Sequence, residues 1–187
     1  AFTGEVAASM LQDFSCTYAI VGHSERRTYH KESDELVANK FAVARAAGLV
    51  PILCVGETLQ EREAGITEQV VARQLDAVID LEGIAALAAG VIAYEPVWAI
   101  GTGKTATGAD AAEMADAIRA TIGVLGGAEY AESVPVLYGG SVTADSFGEF
   151  IAEPAIDGAL IGGAGLKPDQ MAGIAATAAE AAAARAR

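Results

Sequence analysis

Basic residues are scarce in this sequence. Twelve Lys and Arg stand against 25 Asp and Glu in 187 residues, a formal net charge of −13. That average charge repels nucleic acid and anionic membranes. A small anionic substrate is still admissible, because local N–H groups can outweigh the global field. Cysteine is scarcer: Cys16 and Cys54 are the whole complement. Two cysteines make no disulfide framework, and nothing has metal-site spacing. Cys54, inside PILCV, is expected to be a buried packing thiol, in keeping with a reducing cytosol. No run approaches the ~20 apolar residues of a membrane span, no secretory signal opens the chain, and no linker or low-complexity segment divides it. What is present is apolar. Hydrophobic residues make up 52% and charged residues 20%, which excludes disorder, and the length suffices for one domain with a sizeable core.

The hydrophobic pattern alternates between strand and helix. Short apolar runs at 18–22, 50–55, 91–94, 134–138 and 158–161 are predicted strands. Helical periodicity is predicted over 33–47, with Leu36, Val37, Phe41 and Ala44 on one face, Ser33 as N-cap and Gly48 as the stop. Further helices are predicted over 67–79, with Val70, Val71, Leu75 and Val78 on the apolar face, over 110–122, over 144–151, and from 168 to the alanine-rich end. The opening AFTGEV reads as a loop entering a helix. Five strands alternating with helices imply a parallel α/β sheet, and their uniformly apolar character implies burial on both faces.

Polar and glycine residues gather just after each strand: GHSE from Gly22, Gly56-Glu57, Glu95-Pro96, Gly139-Gly140-Ser141 and Gly162-Gly163. In parallel α/β folds ligands bind at these C-terminal strand ends. Glu95 leaves a buried strand, and burial can raise its pKa toward that of a useful base; it can equally cap a helix or pair with an arginine. His23 can polarise a carbonyl, shuttle a proton or satisfy a buried backbone group. The two glycine pairs can grip a phosphate with backbone N–H groups or simply be tight turns.

The stretch WAIGTGKT (98–105) looks like a phosphate-cradling loop, but that motif needs a glycine where Trp98 stands and a helix opening at the lysine. Here the helical pattern begins only near Asp110, so a P-loop NTPase is disfavoured.

Taken together, VGHSERR, CVGE, AYEPVWAIGTGKTAT, LYGGSV and DGALIGGAGL, in this order and spacing, closely resemble the triosephosphate isomerase family over essentially the whole chain. The family is itself a standard worked case of pKa tuning, so the glutamate and histidine roles come with the resemblance. It implies a TIM (β/α)8 barrel, of which about five βα units are present here, from just after the third barrel strand onward. Residues 1–187 would then form a single domain lacking the N-terminal strands.

The resemblance implies an aldose–ketose isomerase of triose phosphates in glycolysis and gluconeogenesis, cytoplasmic and homodimeric, with no cofactor and no metal. Glu95 matches the catalytic base, His23 the electrophile, and Glu25 the glutamate beside an active-site lysine. Gly101, Ser141, Gly162 and Gly163 match the phosphate-holding positions. Pro96, Val97 and Trp98 match one hinge of a lid, and Lys104, Thr105 and Ala106 the other. Thr3 matches the tip of a loop that inserts into a partner subunit. The family's first-strand Asn and Lys have no counterpart. Asn39-Lys40 is a decoy within an amphipathic helix. Without them, an inactive phosphate-binding remnant is the alternative.

Overall fold

Each predicted strand forms. β1 (Tyr18–Val21), β2 (Val50–Val55), β3 (Val91–Tyr94), β4 (Val136–Tyr138) and β5 (Gly158–Ala159) pair in parallel, in sequence order, in one sheet. The computed structural model describes residues 3–100 and 106–186. Ile20, Ile52 and Val91 share one register row, and Leu53, Ile92 and Val136 another. Among the described residues β1 and β5 are not joined to each other, so the sheet is an open five-stranded part of a barrel wall.

The described helices are α1 (Ala8–Asp13), α2 (Ser24–His30), α3 (Asp34–Ala46), α4 (Leu59–Glu63), α5 (Thr67–Glu82), α6 (Ile84–Ala88), α7 (Gly108–Gly126), α8 (Ala128–Ser133), α9 (Phe147–Ile151) and α10 (Pro168–Arg185), of which α3, α5, α7 and α9 contact the strands. Leu53, Ile92 and Val136 are fully buried beneath Phe41, Leu75, Val78, Ile118 and Ile122. Each such side chain contributes about 1.5–3 kcal/mol by leaving water. No described helix is long and apolar enough to cross a membrane.

Local chemistry sets the helix ends. Ser33 caps α3 as predicted, its hydroxyl oxygen accepting the Leu36 N–H at 3.2 Å. Thr58 and Thr107 open α4 and α7 with reciprocal capping boxes to Glu61 and Asp110. The second box starts α7 at Gly108, earlier than periodicity alone suggests, and Gly127, at φ +95°, ends it. Residues 143–146 are not helical. There Thr143 and Ser146 exchange side-chain-to-backbone hydrogen bonds, which delays α9 to Phe147. The polar helix α2 carries no apolar period and was not predicted. Its first turn is capped by the His23 ring, while Arg26 and Arg27 pair with Glu32 and Asp34. Asn39 and Lys40 lie on α3, with Lys40 paired to Glu32.

Two packing expectations are corrected. Leu36 is 44% exposed, and Ala38 takes its place beside Val37, Phe41 and Ala44 in the core. The strands are not buried on both faces throughout: Tyr18 and Ile20 of β1 are more than half exposed. They belong to an edge strand whose concave side has no described layer over it. Cys54 is buried as expected, and Cys16 is exposed.

Candidate active site

Glu95 follows β3 directly, at the concave rim of the sheet. Its backbone N–H donates to the Val55 carbonyl at 2.7 Å, and the Gly139 N–H donates to the Tyr94 carbonyl at 2.7 Å. The exits of β2, β3 and β4 are thereby locked together. The approach is so close that a Cβ on Gly56 would lie 1.7 Å from the Glu95 carbonyl oxygen. Only glycine lets the β2 exit pass there.

The Glu95 side chain is 2% exposed. Its Oε2 accepts the Ser24 N–H at 2.9 Å and its Oε1 accepts the Ser24 hydroxyl at 3.2 Å. His23 Nε2 lies 3.0 Å from Oε1. The other ring nitrogen, Nδ1, accepts the Glu25 N–H at 3.2 Å as it caps α2. An accepting Nδ1 carries no proton, so the neutral ring bears its hydrogen on Nε2, aimed at Glu95. Burial pushes the Glu95 carboxyl above the ordinary carboxylate range; His23 and the two Ser24 bonds oppose the shift without cancelling it. Burial likewise raises the neighbouring Cys54 thiol, and the Glu95 charge adds to that.

His23, Glu25 and Glu95 line a cavity of about 700 Å³ shared with Ser141, Gly162 and Gly163. Among the described residues the backbone N–H groups of Ser141, Gly162 and Gly163 make no hydrogen bond. A Cβ on Gly162 or Gly163 would meet nothing within 4 Å. Donors and open space of this kind suit an anion's oxygens. The Gln170 side chain accepts the Ala144 N–H at 2.8 Å, tying the loop after Ser141 to the start of α10.

Behind Glu95 stands a second buried carboxylate. Glu57, fully buried, accepts the Tyr94 hydroxyl at 3.1 Å and the Trp98 indole N–H at 2.9 Å. Arg62 lies 4.3 Å over the Trp98 ring and 2.8 Å from Asp110 at the start of α7. Burial raises the Glu57 carboxyl, against the pull of its donors. Pro96 and the 3-10 turn Val97–Ala99 are thus held at the start of the segment that leads to α7.

The family model for triosephosphate isomerase matches residues 1–178. The chain belongs to the triosephosphate isomerase family. Its similar relatives include triosephosphate isomerases of Escherichia coli O1:K1, of Escherichia coli K12 and of Shigella boydii serotype 18. Each is 59% identical over 172 residues, covering 92% of this chain and 67% of the relative. The chain therefore matches about two thirds of the length of these triosephosphate isomerases.

The residues singled out from sequence meet at this rim in part. Glu95, His23, Glu25, Ser141, Gly162 and Gly163 line one cavity. Glu25 does so as an exposed helix residue, and its backbone N–H, rather than its carboxylate, bonds the His23 ring. Pro96, Trp98 and Ala106 are buried and Val97 is half-buried. Gly101, Lys104 and Thr105 lie outside the described residues. Thr3 sits apart in an exposed turn; two residues on, Glu5 reaches Arg26 of α2 at 3.2 Å. Two residues of this hydrogen-bonded rim are not singled out by the sequence: Ser24, visible only as part of VGHSERR, and Glu57, visible only as the end of CVGE.

Proposed function

We propose that this chain carries the proton-transfer and phosphate-holding machinery of a triosephosphate isomerase, interconverting dihydroxyacetone phosphate and glyceraldehyde 3-phosphate. The observation that carries the reading is the buried Glu95 carboxylate, 3.0 Å from the His23 Nε2, facing a cavity whose far wall offers unbonded backbone N–H groups. In this reading Glu95 takes a proton from the carbon beside the substrate carbonyl. The electron pair left behind forms an enediolate, a proton passes from one of its oxygens to the other by way of His23 Nε2, and Glu95 returns its proton to the neighbouring carbon. His23 donates its Nε2–H to the oxygen where charge develops. Ser141, Gly162 and Gly163, with Gly101, hold the phosphate through N–H groups. Pro96, Val97 and Trp98 and, at the far end, Lys104, Thr105 and Ala106 are the hinges of a lid over it. Glu25 stands beside the active-site lysine that the remaining third of the fold would supply, and Thr3 enters a partner subunit in a cytoplasmic homodimer. No cofactor takes part.

The open sheet bears on how much of this the 187 residues do unaided. The strands that close a barrel, and a lysine to face the oxyanion, would come from the remaining third of the fold. The test is an isomerase assay on the 187-residue chain, alone and with the N-terminal barrel segment of one of its relatives. Turnover is expected only in the mixture, and only if the segment keeps its lysine. Near-normal turnover by the chain alone would overturn the requirement for closure. A mixture that assembles and is inactive with the lysine present would overturn the functional reading.

A further inference from the structure

A phosphate ester carries about two negative charges near neutral pH, yet the described carboxylates on the cavity wall, Glu25, Glu95 and Asp145, have the same sign, as does the chain as a whole at −13. Backbone N–H groups supply direction but no net charge. Most of the chain's cations are committed elsewhere: Arg26 to Glu5 and Glu32, Arg62 to Asp110, Arg119 to Asp157. Arg185 donates to three carbonyls. Among the described Lys and Arg side chains, only Lys31 and Lys167 have neither a carboxylate nor a carbonyl partner, and only Lys167 lines the cavity.

Its backbone joins the Gly163–Leu166 turn to α10. The Lys167 N–H donates to the Ala164 carbonyl at 3.1 Å, within the 3-10 turn Gly163–Leu166, and its carbonyl accepts the Met171 N–H at 3.0 Å. Three residues on, Gln170 holds the loop after Ser141. Lys167 is also the N-cap of α10 without providing a side-chain cap, immediately ahead of Pro168. A cation at a helix N-terminus opposes the helix dipole, and Ser, Thr, Asp or Asn would stabilise that end better. Helix stability therefore does not account for a lysine here.

We propose that Lys167 is the charge partner of the substrate phosphate: its ammonium group reaches over the Gly162–Gly163 turn, attracts the dianion into the cavity and sets the preference for phosphorylated over neutral ligands. The inference rests on the isomerase reading for the identity of the ligand. A lysine acts here as a mobile point charge on a flexible stem rather than as a planar fork. Its contribution should therefore be largely Coulombic and screened by salt over about 8 Å at physiological ionic strength.

The test is a binding titration of the 187-residue chain with glycerol 3-phosphate and with glycerol, at low and at physiological salt, for the native sequence, Lys167→Ser and Lys167→Arg. The native chain should prefer glycerol 3-phosphate, with affinity falling as salt rises. Lys167→Arg should keep both properties. Lys167→Ser should weaken glycerol 3-phosphate binding roughly three- to tenfold at low salt, flatten the salt dependence and leave glycerol binding unchanged. Its thermal midpoint should hold or rise, because serine caps α10. A merely structural lysine would move stability and affinity together; here they should move apart. Unchanged affinity and salt dependence in Lys167→Ser would overturn the role of Lys167 while leaving the phosphate site standing. A native chain that binds glycerol 3-phosphate no better than glycerol would overturn the phosphate site and this proposal with it.

Discussion

At the scale of single residues, Glu95→Gln removes the proposed proton acceptor while nearly preserving shape. Turnover of the active assembly should fall by about 10²–10⁴, the usual worth of general-base assistance; a loss of less than tenfold in steady-state kcat would remove Glu95 from the role. The pH dependence follows from the direction of its shift. In the proposed reaction the carboxylate is the reactive form, and burial raises its pKa. The acid limb of kcat/KM in the free enzyme should therefore lie above the ~4.3 of an ordinary glutamate. Ser24→Ala deletes the hydroxyl donor 3.2 Å from Oε1, which favours the charged form, so the limb should move to still higher pH. A pH–rate profile in which that variant's limb moves down would contradict the assignment. Stability runs in the matching sense. A glutamate raised in the folded state contributes stability that is present below its unfolded pKa and is lost as pH rises through its folded pKa. Glu95 and Glu57, both raised by burial, thus oppose folding as they ionise.

At the scale of elements, the Glu57 cluster joins β2, β3, the Val97–Ala99 turn and α7. Trp98→Phe removes the indole donor to a buried acid and should cost about 1.5–3 kcal/mol in denaturant unfolding. No change in midpoint would show the bond to be incidental. Gly163→Val separates fold from ligand, because a Cβ there meets nothing within 4 Å. The thermal midpoint should hold while affinity for glycerol 3-phosphate drops; equal loss for glycerol would refute a phosphate role for that turn. Much of this architecture was legible in sequence. The apolar runs fixed the five strands, Ser33 announced α3, and the motif order brought Glu95 and His23 together. Other parts were not legible. Ser24 meets Glu95 across 71 residues of sequence, a contact that only the parallel register creates. α2 is polar on every side and is held by a histidine cap and ion pairs, which leave no periodic trace. Leu36 fits the helical period but falls at the edge of the stripe, where one residue's rotation separates core from solvent.

At the scale of the whole molecule, the outer edges of β1 and β5 are unpaired among the described residues, and Tyr18 and Ile20 present apolar surface on β1. Such edges and patches favour pairing with another chain. The 187 residues alone should self-associate, measurable by sedimentation, and the closing barrel segment should disperse them; a stable, well-dispersed monomer would contradict this. The sheet's strand order carries a kinetic consequence. Among the described residues, each strand after β1 pairs with the one just before it in the chain and none reaches across the sheet. A chain emerging from the ribosome can therefore add one βα unit at a time to a finished neighbour, with no long wait for a distant partner. Only the joining of the β1 and β5 edges to the remaining barrel segment is non-local. Ring closure should be the slow step in assembly and the first to be lost on unfolding, with the inner strands β2–β4 exchanging their amide hydrogens last.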